Sequence, residues 1–213
     1  IYQKTGISFE IIDAEYEAYL CADAVYGAAN LKADYETLLI LDLGGASTEI
    51  IYKSSSRTLS QSFDLGIVTS TTRFGSDFDS LKAAITPTVS ELSEFIQTTS
   101  LQFGKAQAFA STAGTPTTIA ALKLGMDYYT YDKARINTTL LTLDDINTIF
   151  NTLVNLPKDA CENIVGKGRG DLILSGIVIF REIFKVINYN ATVVYDDGLR
   201  EGIAYAYCKE KLN

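Results

Sequence analysis

Residues 38–52, LLILDLGGASTEIIY, are the most informative stretch of this chain. The apolar run at 38–41 is typical of a strand buried on both faces, and the two isoleucines after Glu49 open a second strand. Residues 44–48 lie between these strands. They are therefore expected to form the tight connection of a β-hairpin.

The loop of this hairpin has the composition of a phosphate site. Gly44 and Gly45 have no Cβ atom, so their N–H groups can approach an anion closely. Ser47 and Thr48 add hydroxyl donors. All four residues are therefore candidates for substrate binding.

Two acids, Asp42 and Glu49, flank the same loop. Negative charge beside a phosphate is unfavourable unless a hard divalent cation lies between them, and Mg²⁺ prefers carboxylate oxygens. We therefore predict that Asp42 and Glu49 hold Mg²⁺ or another divalent cation. The alternative is an ordinary hairpin with solvated acids, but turn chemistry needs neither Asp42 nor both hydroxyls.

Composition excludes several classes of function. The 213 residues are 47% hydrophobic, which suits one domain with a sizeable core. A net charge of -8 without a basic run argues against nucleic acid or an anionic membrane surface as a partner. The chain has no histidine, so Ser-His-Asp and Cys-His catalysis are excluded for this chain alone. Acid-base chemistry must then use Asp, Glu, Lys or Tyr.

Cysteine usage and hydropathy indicate the compartment. Cys21, Cys161 and Cys208 are odd in number and far apart, which predicts three reduced thiols rather than a disulfide framework. No stretch approaches the ~20 apolar residues that span a bilayer. We therefore expect a soluble, cytoplasmic protein without a membrane partner.

Periodicity along the chain predicts an α/β fold. Strands are expected at 7–12, 38–41, from Ile50, at 60–65, 106–110 and 192–195. Helices are expected at 14–29, at 78–101, from Gly114, after a Thr142 cap, at 172–186 and at 198–210. Pro87 is expected to mark a kink or a junction between two helices. The polar stretch 127–139 is expected to be a mobile loop. Three antiparallel strands followed by alternating helices and strands suit a ribonuclease H-like or actin-like domain, with a mixed five-stranded sheet and helices on both faces.

A second phosphate-binding element is expected at the sequence STAGTPTTIA, residues 111–120. A short strand ends there in small residues, and Gly114 and Thr115 open the next helix. A helix N-terminus of this kind directs free N–H groups at an anion.

Five ordered motifs resemble the exopolyphosphatase / guanosine pentaphosphate phosphohydrolase family. They cover essentially the whole chain and are FEIIDAEYEAYL at 9–20, DLGGASTE at 42–49, STAGT at 111–115, RGDLILSG at 169–176 and GLREG at 198–202. Ala46 stands where many members have a third glycine, and Tyr16 stands at a commonly acidic position. Neither departure touches the residues to which the resemblance assigns chemistry.

The resemblance implies a role for each of these positions. Glu17 is similar to the glutamate that activates water, while Asp42 and Glu49 are similar to the acids that hold magnesium. The glycines and hydroxyls at 44–48 resemble the phosphate-contacting hairpin. Arg169 is a candidate for phosphate or nucleotide contact.

The implied activity is magnesium-dependent release of terminal phosphate from inorganic polyphosphate or guanosine pentaphosphate. The chain would form the second, actin-like half of a two-domain phosphatase, and the N-terminal half that carries the opposing phosphate loop would be its partner. A homodimer is a further arrangement that the sequence leaves open. Two other functions also stay open: a nucleoside triphosphate diphosphohydrolase, and a non-catalytic sensor of polyphosphate or alarmone.

Overall fold

The computed structural model describes residues 2–30 and 35–212, and a mixed sheet of six strands lies at its centre. The strands are β1 (Thr37–Leu43), β2 (Thr48–Ser54), β3 (Thr58–Phe63), β4 (Ala108–Thr112), β5 (Thr139–Leu141) and β6 (Thr192–Val194). Their order across the sheet is β3-β2-β1-β4-β6-β5. The β1–β4 and β4–β6 pairs are parallel, and the other neighbours are antiparallel.

Helices connect and cover these strands. They are α1 (Tyr2–Thr5), α2 (Ala14–Asn30), α3 (Ile67–Phe74), α4 (Phe78–Phe103), α5 (Gly114–Lys123), α6 (Lys133–Ile136), α7 (Leu143–Val154), α8 (Lys158–Val165), α9 (Gly170–Ile187) and α10 (Leu199–Leu212). The predicted Thr142 cap is confirmed, because Thr142 and Asp145 form a reciprocal capping box at the start of α7. Pro87 lies inside α4, which continues through it as one helix.

Alternation along the hairpin strands divides the core into two layers. Ile40 and Ile51 face α2 and lie in one cluster with its buried residues Ala18 and Val25. Leu41 and its neighbours on the opposite face pack against α4, α5, α7 and α9 in the larger core. Helices therefore cover both faces of the sheet, as the sequence predicts.

The predicted hairpin is confirmed. β1 and β2 pair antiparallel, with Asp42 directly opposite Glu49. Since opposed residues on paired strands point to the same face, both carboxylates lie on the face that α2 covers.

Two sequence predictions about strands are wrong. The sheet has a sixth strand, β5, whose first residue, Thr139, belongs to the stretch that was expected to be a mobile loop. β5 lies at one edge of the sheet, where it pairs with β6 and exposes Leu140. Residues 7–12 alternate like a strand, but within the described ranges they have no strand partner. Ile11 in this segment is 97% exposed. An alternating pattern forms a strand only where a neighbouring strand pairs with its backbone N–H and C=O groups.

Candidate active site

Three parallel strands end at the same edge of the sheet, and a cleft of about 710 Å³ opens there. Asp42 lies near the end of β1, Thr112 ends β4, and Asp196 follows β6 by two residues. All three line the cleft. Ligands of open α/β sheets bind outside the carboxyl ends of parallel strands, so the topology alone marks this edge as the site.

Helix α2 brings the predicted base to this edge. Glu17 and Cys21 are one turn apart and therefore share a face of the helix. The Cys21 thiol is buried and donates a hydrogen bond to Asp42 Oδ2 at 3.1 Å. Glu17, one turn nearer the start of α2, is exposed to solvent. Cys21 is not predicted as a site residue, because nothing in the spacing of the cysteines suggests a partner for it.

The carboxylates near the hairpin have no ion-pair partner among the described side chains. Burial raises the pKa of Asp42 to about 6; the Cys21 hydrogen bond opposes the shift, and the charges of Glu49 and Glu17 add to it. Within residues 2–30 and 35–212, no Lys or Arg forms an ion pair with Asp42, Glu49 or Glu17. Burial raises the pKa of the Cys21 thiol well above its ordinary value, and the charge of Asp42 and its hydrogen bond to the thiol add to the shift. Three acids therefore repel one another with no protein cation to offset them.

Hydroxyl groups fix the second of these acids. Ser47 Oγ donates to Glu49 Oε1 at 2.7 Å, and Ser62 Oγ, on the neighbouring strand β3, donates to the same oxygen at 2.8 Å. Ser47 thus binds the carboxylate in this structure, although the sequence predicts that it binds phosphate. Ser62 was missed, since only the β2–β3 register places it beside Glu49.

The hairpin loop presents free backbone donors. Gly44 N–H bonds to the Ser47 carbonyl at 3.0 Å, and the first turn of α3 donates to the carbonyls of Gly44 and Gly45. In the described part of the chain, the N–H groups of Gly45, Ala46 and Ser47 have no such acceptor. Gly66 lets α3 approach, because a Cβ there would lie 2.2 Å from the backbone of Ala46. Hydrogen bonds to its carbonyl groups therefore hold the loop in place, and its N–H groups remain available to bind an anion.

The Thr48 side chain faces away from this loop. It is fully buried, and its hydroxyl donates a short hydrogen bond to the Leu65 carbonyl. Successive residues of a strand point to opposite faces, so Ser47 and Glu49 lie on one side and Thr48 on the other. Its hydroxyl therefore anchors the segment before α3.

The N-terminus of α5 forms the second anion-binding element. Ala113, which precedes the helix, has φ 73° and makes no side-chain cap. The Arg169 guanidinium lies above this turn and donates to Thr118 Oγ1 at 3.3 Å. A Cβ on Gly114 would lie 3.3 Å from Arg169 Nη2, so the glycine makes room for the arginine.

Thr115 contributes backbone only. Its side chain is 2% exposed and packs against α9 at Gly176. A gap of about 220 Å³ separates the two loops and is lined by both hairpin glycines, the start of α5 and Arg169. The structure therefore brings together the predicted residues Gly44, Gly45, Gly114 and Arg169.

Behind the far wall of the cleft, which Glu201 lines, lies a network of balanced charges. Lys133 Nζ lies 2.8 Å from Glu201 Oε1 and 3.3 Å from Asp197 Oδ1. Asn137 Nδ2 donates to the other Asp197 oxygen at 2.6 Å, and Thr112 Oγ1 donates to its backbone carbonyl at 2.8 Å. Asp197 is thereby a buried structural group that ties β4, α6 and α10 together.

The donor set near the hairpin fits a magnesium ion. Among the residues that the structure describes, no three Cys, Asp or Glu side chains form a ready-made metal cage. Mg²⁺ does not require one, because it usually binds through one or two carboxylates together with substrate phosphates and water. Asp42 and Glu49 provide such a pair, since they are opposed across the hairpin and no Lys or Arg in the described ranges pairs with them.

Comparison with known sequences identifies the family. The profile of the Ppx/GppA phosphatase family matches residues 1–211. This chain belongs to that family. It is 27% identical over 209 residues to "Exopolyphosphatase 2" of Mycobacterium tuberculosis, covering 93% of this chain and 64% of that protein. It is also 25% identical over 212 residues to "Guanosine-5'-triphosphate,3'-diphosphate pyrophosphatase" of Pseudoalteromonas translucida, covering 98% of this chain and 40% of that protein.

Solved structures agree with the Ppx/GppA fold. An exopolyphosphatase from Cytophaga hutchinsonii superposes with a TM-score of 0.82 at 23% identity, over 98% of this chain and 68% of that one. A Ppx/GppA family member from Aquifex aeolicus superposes with a TM-score of 0.73 at 25% identity, over 100% of this chain and 68% of that one. The actin-like fold predicted from the sequence is thereby confirmed. The chain spans less than two thirds of the length of the two curated relatives.

Two further observations bear on the sequence predictions. Cys21, Cys161 and Cys208 form no disulfide with one another. In the described ranges, every helix is too short or too polar to cross a bilayer.

Proposed function

We propose that this chain forms the hydrolytic centre of a phosphoanhydride hydrolase that releases terminal phosphate from inorganic polyphosphate or guanosine pentaphosphate. One observation carries the proposal. Asp42, Glu49 and Glu17 repel one another without a basic partner among the described residues, beside two loops with free N–H groups. Such an arrangement is unfavourable by itself and becomes favourable when a cation and an anionic phosphate bind together. The names of the curated relatives support the same chemistry.

Each group has a role in that reaction. Glu17 accepts a proton from the attacking water, whose oxygen forms the new bond to the terminal phosphorus as the anhydride P–O bond breaks. The amides of the hairpin loop and of the α5 N-terminus hold the phosphoryl oxygens, and Arg169 neutralises part of their charge. Cys21 and Ser62 keep Asp42 and Glu49 in place through the hydrogen bonds described above.

Asp42 and Glu49 are the residues that would hold Mg²⁺. When bound, the ion supplies charge neutralisation for the transferred phosphoryl group. The positions of the two carboxylates are set by the protein, since they face each other across the hairpin in register.

The whole enzyme would be larger than this chain. We propose that these residues form the second half of a two-domain phosphatase, whose N-terminal domain supplies the opposing phosphate loop. Partial coverage of both curated relatives supports this arrangement. A homodimer and a cytoplasmic location stay predictions from the sequence.

The test is phosphate release by the full-length protein with Mg²⁺, with polyphosphate and guanosine pentaphosphate supplied in separate reactions. Release from either substrate, abolished by a chelator, supports the proposal and names the better substrate. Binding of both without release, at saturating Mg²⁺, would instead identify a non-catalytic sensor.

A further inference from the structure

Arg169 reaches into the gap between the two phosphate-binding loops, which it lines together with Gly44, Gly45 and Gly114. Among the described residues, no Asp or Glu forms an ion pair with its guanidinium. The charge is therefore available to a phosphate group. A long arginine side chain loses rotamer freedom when it is held in one place, and here no acid holds it. Other contacts must then position it.

Gly166, which follows α8, provides the surface against which the stem of Arg169 lies. Its φ of 101° is one that residues with a side chain rarely adopt. A Cβ there would lie 2.9 Å from Tyr128 Cδ2 and 3.2 Å from Arg169 Cδ. The ring of Tyr128 and the stem of Arg169 therefore pack against the same side of Gly166, in space that any side chain at this position would fill.

Backbone hydrogen bonds fix Tyr128 relative to Arg169. The Tyr128 N–H donates to the Ile164 carbonyl at 2.8 Å, and the Arg169 N–H donates to the Gly166 carbonyl at 3.1 Å. The first bond ties the loop after α5 to the end of α8, and the second closes the turn that leads to Arg169. Tyr128 is 54% exposed, so its ring is not a core side chain. Together with Arg169 it lines both the large cleft and a smaller gap of about 20 Å³.

Thr118 holds the other end of the arginine. Arg169 Nη2 donates to Thr118 Oγ1 at 3.3 Å, and the same hydroxyl donates to the Gly114 carbonyl at 2.6 Å. A hydroxyl has one proton, so its bond to Gly114 leaves its lone pairs to accept from the guanidinium. The arginine is thus held at its stem by Tyr128 and Gly166 and at its head by Thr118, and none of these groups is charged.

We infer that Tyr128 and Gly166 are positioning residues for Arg169, which hold the arginine stem so that its guanidinium faces the phosphate-binding gap. Neutral contacts suit this task, because a carboxylate partner would compete with phosphate for the guanidinium. Arginine has five N–H donors, so the bond to Thr118 leaves others for phosphoryl oxygens. The inference rests on the proposed function and deepens it, since it adds residues that act on the phosphate through Arg169.

The test is a double-mutant cycle in the full-length protein with Mg²⁺. Calorimetric titration measures binding of inorganic tripolyphosphate, and an initial-rate assay measures phosphate release from polyphosphate and guanosine pentaphosphate. Tyr128→Ala should weaken tripolyphosphate binding and lower kcat/KM by roughly threefold to tenfold. In the Arg169→Met background the same change should alter either quantity by less than about twofold, because the side chain that Tyr128 positions is absent.

The cycle separates positioning from other roles of the tyrosine. Tripolyphosphate has no ring, so weaker binding of this ligand cannot come from lost stacking on Tyr128. A general effect on the fold would weaken binding equally in the two backgrounds. Equal effects of Tyr128→Ala with and without Arg169 would therefore overturn the inference.

Two further tyrosine variants serve as comparisons. Tyr128→Phe keeps the ring and should bind tripolyphosphate within about twofold of the unaltered protein, since ring packing rather than the hydroxyl holds the arginine. A phenylalanine variant as impaired as the alanine variant would overturn the role assigned to the ring. Tyr207→Ala, at a tyrosine of α10 that is 60% exposed and lies outside the cleft, is the matched control and should bind normally.

Gly166→Ala tests the other positioning residue. The added methyl group would meet both Tyr128 and Arg169, so the variant should lose tripolyphosphate affinity, and this loss should also disappear in the Arg169→Met background. A folded Gly166→Ala protein with unaltered affinity would overturn the role of the glycine. Thermal unfolding shows whether the variant folds, and if it does not, the Tyr128 cycle decides the inference.

The inference and the proposed function can fail separately. Phosphate release without any coupling between Tyr128 and Arg169 would overturn the positioning role and leave the hydrolase standing. Coupling in tripolyphosphate binding without phosphate release from either substrate would support the positioning role and overturn the hydrolase. Failure of the unaltered protein to bind tripolyphosphate would overturn the inference.

Discussion

The two ends of the cleft use the same residue types in opposite ways. At the hairpin end, Asp42 and Glu49 face each other with Glu17 nearby, and no described basic side chain pairs with them. Behind the far wall of the cleft, Asp197 and Glu201 share Lys133, and Asn137 donates a hydrogen bond to the other oxygen of Asp197. The first group of acids lacks a counter-charge, and the second has one built into the fold.

This difference separates a binding site from a structural network. A protein folds around paired charges because each member is satisfied without a ligand. Unpaired acids are tolerated at a site where a bound ligand relieves their repulsion. Without that ligand, such a site lowers the stability of the folded protein. Charge balance therefore distinguishes the two groups where residue type does not.

The largest expected effect concerns the predicted base. Glu17→Gln keeps the size and polarity of the side chain but cannot accept a proton. Phosphate release should fall by about 10²–10⁴-fold. Glu15→Gln makes the same change two residues earlier on α2 and should leave the rate close to that of the unaltered protein. Wild-type release by the Glu17 variant in an initial-rate assay would show that the base lies elsewhere.

The network behind the far wall depends on Lys133, which pairs with both Asp197 and Glu201. Lys133→Met leaves Asp197, which is 8% exposed, without its counter-charge. We expect a loss of about 1–3 kcal/mol in the free energy of unfolding, less than for a fully buried pair because Lys133 itself is partly exposed. Urea denaturation measures the change. Lys82→Met, which removes an exposed partner of Asp79, is the control and should cost no more than about 0.5 kcal/mol. Equal effects of both variants would contradict a structural role for the network.

At the hairpin end, removing a charge should increase the stability of the fold rather than decrease it. Asp42→Asn removes a charge that the fold disfavours, so without divalent cations the variant should be more stable than the unaltered protein at pH 7, by about 1–3 kcal/mol. Its catalytic activity should be lost.

The pH dependence of that difference has a defined direction. The pKa of Asp42 is raised in the fold to about 6 from an ordinary value of 3.8. Between these two values the folded protein binds the proton more readily than the unfolded chain, so acidification from pH 7 stabilises the unaltered protein relative to the variant. The advantage of Asn should therefore shrink as the pH falls through 6 towards 4. A variant that is less stable than the unaltered protein at pH 7 would contradict the charge argument.

A smaller effect is expected at Cys21. Cys21→Val removes the donor to Asp42, and Cys21→Ser keeps one. The valine variant should lose roughly threefold to tenfold in phosphate release, about 1 kcal/mol, whereas serine should retain most of the activity. Thermal unfolding of both variants shows whether packing alone explains the change. Equal losses in Ser and Val would mean that the hydrogen bond has no influence on Asp42.

The sequence predicts the hairpin end of the cleft better than its far wall, because the hairpin residues are close together in the chain. The strands, the turn glycines and both acids lie within residues 38–52, so spacing alone specifies their geometry. The Thr142 capping box is predictable for the same reason. The shared face of Glu17 and Cys21 follows from helical periodicity, but their position beside Asp42 depends on how α2 packs on the sheet.

The failures are long-range in origin. Ser62 lies beside Glu49 only because of the β2–β3 register, and Cys21 reaches Asp42 only because α2 packs on the sheet. β5 exists because β6 offers an open edge, and residues 7–12 form no described strand because they have no such edge. The inward direction of Thr48 follows from strand alternation and could have been predicted from Glu49 alone.

The most direct test of the charge argument is cation binding at the hairpin end. Mn²⁺ can stand in for Mg²⁺, and the decrease of its free electron paramagnetic resonance signal measures the bound fraction. We predict that the full-length protein binds Mn²⁺ in competition with Mg²⁺, and that Asp42→Asn weakens binding roughly tenfold or more. Lys133→Met, which changes charge at the balanced end, should leave the affinity unaltered. Undiminished Mn²⁺ binding by the Asp42 variant would contradict the claim that the unpaired carboxylates form the cation site.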